Sequence, residues 1–222
     1  MNLLENKIAV IGLGYVGLPL AALCARQGYT VVGFDLNARV VASLQSGKCH
    51  FRDETVEASL AAALATGKLS VTSEVEDIAD CEIYLVCVPT PVDANNDPDL
   101  QPLESACRLV GGQLHKGNLV VIESTVFPGT CEQIVVPLLA QVSGLDAERD
   151  LQVAHCPERV NPGDLFWNSE NIPRVVGATS AEGVDRAARL YASILGGEIF
   201  EVRDVRRSLG PKFRNTEHGV QV

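Results

Sequence analysis

A glycine-rich segment near the N-terminus has the spacing of a phosphate-binding turn. Residues 12–17 read Gly-Leu-Gly-Tyr-Val-Gly. In this pattern the first glycine permits a tight turn, the second lets the backbone approach a pyrophosphate, and the third allows a helix to pack closely on a strand. A helix beginning here would present free N–H groups and a partial positive charge to the phosphates. The expected dinucleotide contacts come from Gly12, Gly14, Tyr15, Val16 and Gly17.

An acidic residue follows at the distance expected of a ribose-binding carboxylate. Asp35 lies 35 − 12 = 23 residues after Gly12, near the roughly 20 that this pattern requires. Its carboxylate would accept hydrogen bonds from both adenosine ribose hydroxyls and repel a 2′-phosphate. No arginine directly follows Asp35 to accommodate a 2′-phosphate, since the nearest, Arg39, is four residues on. The pattern therefore favours NAD over NADP. Arg39 is included among the expected cofactor contacts. FAD proteins share these glycines, and a turn that only packs is the other alternative.

Two threonines lie in loops that follow apolar runs. Thr90 stands between Pro89 and Pro91, whose rings restrict the backbone, so its hydroxyl would be held rigidly. A proline-stiffened loop without a ligand is the alternative. Thr125 follows the next run and is the hydroxyl freer to serve a site, because Thr130, directly before a predicted helix, is the better N-cap.

Glu158 is the candidate acid or base. A carboxylate in a partly closed cleft can take or give a proton through a water as a hydride leaves carbon. The alternative is a surface ion pair with Arg159. Cys156 could attack an aldehyde, but nothing nearby in the sequence lowers its pKa, so we expect a buried thiol. The four histidines are scattered without metal-ligand spacing, and we expect no metal site.

Short apolar runs alternate with longer amphipathic stretches. The runs lack polar alternation, which is typical of strands buried on both faces of a parallel sheet. They span 7–11, 30–34, 83–88, 119–123 and 151–155, with shorter candidates at 174–176 and 198–202. The predicted helices span 16–27, 38–46, 56–65, 102–115, 131–142 and 180–195. This order predicts an α/β fold, a doubly wound, mostly parallel Rossmann-type sheet with helices on both faces. Ligands bind beyond the carboxyl ends of such strands, where Thr90 and Glu158 are expected.

Composition excludes several classes of protein. The 222 residues are 46% hydrophobic and carry a net charge of −10, which disfavours nucleic acid as a partner. Apolar runs fall short of the roughly 20 residues that cross a bilayer, and the N-terminus lacks a secretory signal, so we expect a cytoplasmic protein without a membrane partner. Seven cysteines without a Cys-x-x-Cys pair predict free thiols.

Five segments, in order, resemble the N-terminal half of the UDP-glucose/GDP-mannose dehydrogenase family. They are IGLGYVGLPLA at 11–21, GFDLN at 33–37, LVCVPTPVD at 85–93, ESTVFPGT at 123–130 and CPERVNPGD at 156–164. The branch resembled most acts on UDP-N-acetylhexosamines and makes uronic acids for surface polysaccharides. The resemblance implies an NAD-dependent oxidoreductase, a nucleotide-sugar 6-dehydrogenase whose substrate is a UDP-sugar. A 3-hydroxyacyl or 6-phosphogluconate type of dehydrogenase is a weaker alternative, because it would not predict the last segment.

The resemblance also assigns roles to residues. It implies that Thr90 and Thr125 contact NAD, and that Thr125 and Glu158 assist hydride transfer from C6 through a water. It places Arg159 and Val160 against the nucleotide-sugar, with Asn161 as a further candidate. A guanidinium suits an anionic diphosphate, because its fork pairs two oxygens.

The resemblance extends over roughly residues 5–205, in a chain about half as long as members of the family. We therefore expect an NAD-binding domain at 1–205 and an atypical tail at 206–222, with the family's central and C-terminal domains absent. The tail carries 4 − 1 = +3 charges, and Gly210-Pro211 would break the family's central helix. We expect a truncated N-terminal fragment with an out-of-frame tail, not able to complete the two-step oxidation. The alternative is a non-catalytic NAD-binding remnant or regulatory module. A homodimer is expected of a full-length relative and is doubtful for this chain.

Overall fold

The computed structural model describes residues 3–92, 98–158, 170–202 and 205, which form a sheet flanked by helices. The strands are β1 (Lys7–Ile11), β2 (Thr30–Phe34), β3 (Leu69–Thr72), β4 (Ile83–Val86), β5 (Leu119–Ile122), β6 (Gln152–His155), β7 (Arg174–Ala178) and β8 (Ile199–Val202). The α-helices are α1 (Gly17–Arg26), α2 (Ala38–Gln45), α3 (Glu54–Ala65), α4 (Gln101–Gly111), α5 (Val136–Ser143) and α6 (Ala181–Ile194). Short 3-10 turns lie at Leu3–Glu5 and Val75–Ile78, and one π-helical turn, Cys131–Val135, leads into α5.

The strand order is β3-β2-β1-β4-β5-β6-β7-β8. Strands β1 to β6 run parallel, β7 is antiparallel to β6, and β8 is parallel to β7. The chain winds outward from β1 in one direction through β2 and from β4 in the other, so the order reverses between β1 and β4. In sheets of this kind a crevice opens at that reversal, beyond the carboxyl ends of the strands. The predicted doubly wound, mostly parallel sheet is confirmed.

Both faces of the sheet are covered by helices. On β1, Ile8 and Val10 face a core that also contains Leu18 of α1. Ala9 and Ile11 face a second core, which contains Val110 of α4. Because each strand buries both sets of side chains, an unbroken apolar run is required, and this explains why the central strands could be predicted.

One strand was missed, and another was predicted two residues too long. The edge strand β3 contacts only β2 in the sheet, and its sequence Leu-Ser-Val-Thr alternates, with Ser70 exposed. A four-residue run with one polar face carries little apolar signal, so the pattern did not predict it. Strand β4 ends at Val86 rather than at residue 88, and the backbone from Cys87 onward belongs to the following loop.

Two further sequence-based expectations concern the whole described chain. All seven cysteines are free thiols, six of them buried, as predicted. Among the described residues, none of the helices combines the length and the apolar character that a membrane span requires.

Candidate active site

The glycine turn after β1 gives its three glycines different steric settings. Gly12 has a φ of 89°, a left-handed conformation that L side chains rarely adopt. A Cβ on Gly17 would lie 1.8 Å from the carbonyl oxygen of Gly12, whereas a Cβ on Gly14 would meet nothing within 4 Å. The open space over Gly14 is the room that a phosphate needs, and Gly17 is required for α1 to pack against the turn.

Helix α1 directs its N-terminus at this turn. The first hydrogen bond of the helix runs from the N–H of Leu18 to the carbonyl of Gly14, at 3.1 Å. The backbone N–H groups that come before Leu18 have no acceptor within the helix and are directed toward the turn. Val16 is half-buried at the helix start. Tyr15 is 69% exposed and stacks on Phe51 with ring centroids 4.1 Å apart. Tyr15, a predicted dinucleotide contact, is therefore open to solvent on the side of its ring that Phe51 does not cover.

Asp35 is held at the turn by two backbone amides. Its Oδ2 accepts from the N–H of Leu13 and its Oδ1 from the N–H of Asn37, each at 2.9 Å. Each carboxylate oxygen retains a second lone pair for a ribose hydroxyl. Arg39 lies exposed in the first turn of α2, where its backbone N–H donates to Asn37 Oδ1 at 3.1 Å.

The loops after β4 and β5 are joined by two hydroxyls. Thr90 Oγ1 donates to the carbonyl of Thr125 at 2.8 Å, and Ser124 Oγ donates to the carbonyl of Val88 at 2.6 Å. Thr125 is exposed, while Ser124 beside it is buried. The structure thus brings the two predicted threonines together at the carboxyl edge of the sheet.

The predicted N-cap role of Thr130 is wrong. Thr130 is fully buried and its Oγ1 donates to the carbonyl of Phe127 at 2.8 Å, and its side chain makes no capping bond. The chain already has helical dihedrals at this residue, so the hydroxyl turns back toward the preceding loop.

Glu158 belongs to a buried charged network that the sequence analysis did not identify. The backbone N–H of Glu158 donates to the carbonyl of Glu123 at 3.2 Å, which places Glu158 beside the end of β5. Its carboxylate pairs with Nη2 of Arg174, the first residue of β7. The other arm of that guanidinium, Nη1, lies 3.1 Å from Glu123 Oε2. The hydroxyl of Tyr191, on α6, donates to Glu123 Oε1. Arg159, the alternative partner predicted for Glu158, lies outside the described residues.

Burial controls the ionisation of this network. It raises the pKa of Glu123 to about 7, an effect that the charge of Arg174 opposes and that of Glu158 reinforces. Burial by itself lowers the pKa of Arg174, but the two carboxylates reverse the direction and raise it. The guanidinium therefore stays charged between two carboxylates.

The sequence did contain a signal for this network. Arg174 begins an apolar strand run and Glu123 ends another. Charged residues are almost never fully buried unless they are paired. Two opposite charges at the ends of buried strands are therefore expected to form an ion pair. Their separation in the chain, 51 residues, hides the pairing until the sheet is assembled.

Cys156 and His155 are core residues. Cys156 is fully buried, and burial, reinforced by the charge of Glu123, raises the pKa of its thiol well above the ordinary value, which suppresses the nucleophilic thiolate. Burial lowers the pKa of His155 to about 4, and its Nε2 lies 3.3 Å from the carbonyl of Ser124. Among the described residues, His, Cys, Asp and Glu side chains do not group into a metal site.

The sequence predicts three substrate contacts between β6 and β7. Arg159, Val160 and Asn161 lie outside the described residues, which stop at Glu158 and resume at Glu170.

A glycine turn at the reversal of strand order, with an acid pinned at the end of β2, defines a Rossmann-type dinucleotide-binding domain. The room over Gly14 and the position of Asp35 fit a dinucleotide that lacks a 2′-phosphate. The family profile described as UDP-glucose/GDP-mannose dehydrogenase family, NAD binding domain, matches residues 6–195. The chain belongs to this family, of which it contains the NAD-binding domain, and its cofactor is NAD.

Individual relatives agree with this assignment. The chain is 39% identical over 216 residues to UDP-N-acetyl-D-mannosamine dehydrogenase of Pyrococcus horikoshii, a match that covers 97% of this chain and 51% of the relative. It is 37% identical to UDP-N-acetyl-D-glucosamine 6-dehydrogenase of Salmonella typhi, over 98% of this chain and 50% of that relative. A solved structure of UDP-D-ManNAc dehydrogenase from Pyrococcus horikoshii superposes with a TM-score of 0.84 at 41% identity, covering 90% of this chain and 47% of the other.

The matches show how much of this chain and of its relatives is similar. The chain spans about half the length of the curated relatives it matches. A match over 98% of the chain also runs past residue 205, so the similarity extends further than the sequence motifs indicated.

Proposed function

We propose that this chain is the NAD-binding half of a nucleotide-sugar 6-dehydrogenase that oxidises a UDP-N-acetylhexosamine to the corresponding uronate. Membership of the family and the names of the relatives support the reaction and the UDP-sugar substrate. The observation that carries the proposal is the position of Thr90, Thr125 and Glu158 in the loops that follow the adjacent strands β4, β5 and β6. The first of these loops packs against the glycine turn, since Gly12 lies against Cys87 and Val88. Hydroxyls and a carboxylate at that edge are suited to the oxidation of an alcohol.

When bound, NAD would accept the hydride that leaves C6 in each of the two oxidations, alcohol to aldehyde and aldehyde to carboxylate, so that one uronate would require two NAD. The turn at Gly14 and the carboxylate of Asp35 hold the adenosine diphosphate portion, with Arg39 as a further contact. Thr90 fixes the backbone of Thr125, whose hydroxyl orders a water beside the reacting carbon. Glu158 takes up the proton of the alcohol through that water.

By resemblance, Arg159 and Val160 contact the nucleotide-sugar, with Asn161 as a weaker candidate. A guanidinium at residue 159 pairs with the diphosphate oxygens of the UDP group. We further propose an NAD-binding domain at 1–205 and an atypical tail at 206–222, where Gly210-Pro211 would interrupt the family's central helix although the match to relatives runs into this segment. We also propose a cytoplasmic location and a biosynthetic role in polysaccharide formation. The net charge of −10 supports the absence of a nucleic-acid partner. A homodimer is proposed for full-length relatives and not for this chain.

The second candidate is an NAD-binding module without turnover. The observation that favours it is that the open turn at Gly14 and the carboxylate of Asp35 form a cofactor site by themselves. Titration of the purified chain with NAD in a calorimeter, followed by UDP-N-acetylhexosamines and measurement of NADH absorbance, separates the two. Turnover to a uronate with loss of rate in Glu158→Gln supports the first candidate. Binding without turnover supports the second, and a chain that does not bind NAD refutes both.

A further inference from the structure

We propose that Arg174, held by Glu123 and Tyr191, is a positioning residue that fixes the carboxylate of Glu158 at the carboxyl edge of the sheet. The inference rests on the proposed function, in which Glu158 moves a proton. It assigns a role to three residues that lie behind Glu158, at the end of β5, at the start of β7 and on α6.

The geometry of the guanidinium makes it a rigid link. Its two terminal nitrogens bind different carboxylates. Nη2 pairs with the carboxylate of Glu158, and Nη1 lies 3.1 Å from Oε2 of Glu123. A guanidinium is planar and its N–H directions are fixed, so anchoring one arm sets the direction of the other. Tyr191 completes the anchor, because it donates to the second oxygen of Glu123. Glu158 is therefore aligned by β7, α6 and the end of β5 together.

The network opens to solvent at Glu158. The side chains of Arg174 and Glu123 are 0% exposed, whereas that of Glu158 is 9% exposed. A buried ion pair that served stability alone gains little over apolar packing and has no reason to reach the surface. Here the deeper members are sealed, and the member at the edge is the one with a proposed chemical role.

The second carboxylate has a physical purpose in this arrangement. A buried cation that loses its partner is strongly destabilised. When Glu158 takes up a proton, the like charge that helps to raise the pKa of Glu123 is lost, which favours the ionised form of Glu123. Arg174 therefore keeps a charged partner, and the guanidinium is not left uncompensated. When Glu158 is ionised, its charge is paired as well. The network therefore tolerates both protonation states without moving Glu158.

Carboxyl labelling tests the proposal on the chain as it exists. The protein is treated with a water-soluble carbodiimide and glycine ethyl ester, and the labelling rate of Glu158 is measured by mass spectrometry, with exposed Glu201 as the internal reference. In Arg174→Lys an ammonium replaces the fork, and in Arg174→Met the charge is lost. We expect Glu158 to be labelled roughly tenfold faster in both variants, as for a lost hydrogen bond to a charged group. Labelling of Glu201 should not change.

Two further variants complete the design. Tyr191→Phe removes only the hydroxyl behind Glu123, and we expect a smaller increase in Glu158 labelling, about threefold. Arg189→Met on α6 removes an exposed arginine paired with Asp185 and should leave Glu158 at the wild-type rate. Should the Arg174 variants fail to fold, the result with Tyr191→Phe decides.

A Glu158 labelling rate that matches wild type in Arg174→Lys and in Tyr191→Phe would overturn the positioning role. Equal increases at Glu158 and Glu201 would also overturn it, since they indicate general loosening. Calorimetric NAD binding is measured in every variant and should stay within about twofold of wild type, because Arg174 is not placed against the cofactor. Wild-type protein that fails to bind NAD would refute the proposed function, while the labelling result would still report on Arg174.

Discussion

Alanine substitutions at Gly17 and Gly14 give opposite outcomes, although the two glycines lie in one turn. In Gly17→Ala the new Cβ would lie 1.8 Å from the carbonyl oxygen of Gly12 and 3.1 Å from Cβ of Cys87. Real Cβ contacts stay at or beyond 3.0 Å, so α1 and the turn must separate by 3.0 − 1.8 = 1.2 Å. The atom that must move is a backbone oxygen, which cannot swing aside as the end of a side chain can.

This clash sets the size of the effect. Overpacking of this kind costs about 1–3 kcal/mol, occasionally more, and the better helix propensity of alanine returns at most about 1 kcal/mol. We expect Gly17→Ala to lose roughly 2 kcal/mol of unfolding free energy, or roughly 4–8 °C in Tm for a chain of this size. Urea unfolding followed by circular dichroism, without cofactor, measures the loss.

Gly14→Ala is the matched control, because its Cβ meets nothing within 4 Å. Its urea midpoint should equal that of wild type, whereas its affinity for NAD should fall roughly 10- to 100-fold, since the methyl group occupies space needed by the phosphates. Calorimetric titration measures this. A stable Gly17→Ala protein would refute the steric reasoning, and a Gly14→Ala protein with wild-type affinity would place the pyrophosphate elsewhere.

Three further predictions concern the network and the ribose site. Burial raises the pKa of Glu123 from its ordinary 4.5 to about 7, so between these values the folded chain holds a proton that the unfolded chain has released. The unfolding free energy of wild type minus that of Glu123→Gln should therefore fall as pH rises from about 4.5 to about 7, and should stay constant above about 7. Urea unfolding across that range measures this difference, and an increase with pH would contradict the prediction. Above pH 7, where Glu123 is ionised, Tyr191→Phe should lose about 1.5–3 kcal/mol of unfolding free energy, because its hydroxyl then bonds a charged group. Tyr29→Phe, whose partner is the hydroxyl of Ser193, should lose about 0.5–1.5 kcal/mol. Equal losses in thermal unfolding above that pH would be inconsistent with an ionised partner. Asp35→Asn should bind NAD roughly tenfold more weakly, and its preference for NAD over NADP should become smaller. Calorimetric titration with both cofactors tests this, and an unchanged ratio of the two affinities would count against the ribose assignment.

The central sheet could be predicted because its strands are buried on both faces. An apolar run such as that of β5 records burial directly, residue by residue. The edge strand β3 could not be predicted, since Ser70 faces solvent and four residues supply too short a pattern. The antiparallel direction of β7 likewise has no local signal, because strand direction depends on how the chain returns to the sheet.

The candidate site divides in the same way. The turn at residues 12–17 and Asp35 could be identified from sequence, because local backbone geometry and a fixed spacing determine them. The cap assigned to Thr130 was wrong, since the hydroxyl found a carbonyl in the preceding loop instead. Thr90 and Thr125 were each named, but only the assembled sheet joins them.

The amino-acid sequence by itself determined the fold class, the phosphate-binding turn and the family, because these depend on patterns contained within short stretches of chain. Only the tertiary structure decided what holds Glu158. Its partner Arg174 lies 16 residues away and Glu123 lies 51 residues from that arginine, and burial places all three in one charged network. Two charges pair when they lie close together in space and are shielded from water. Both the distance and the burial depend on the tertiary structure, so the order of the residues does not reveal them.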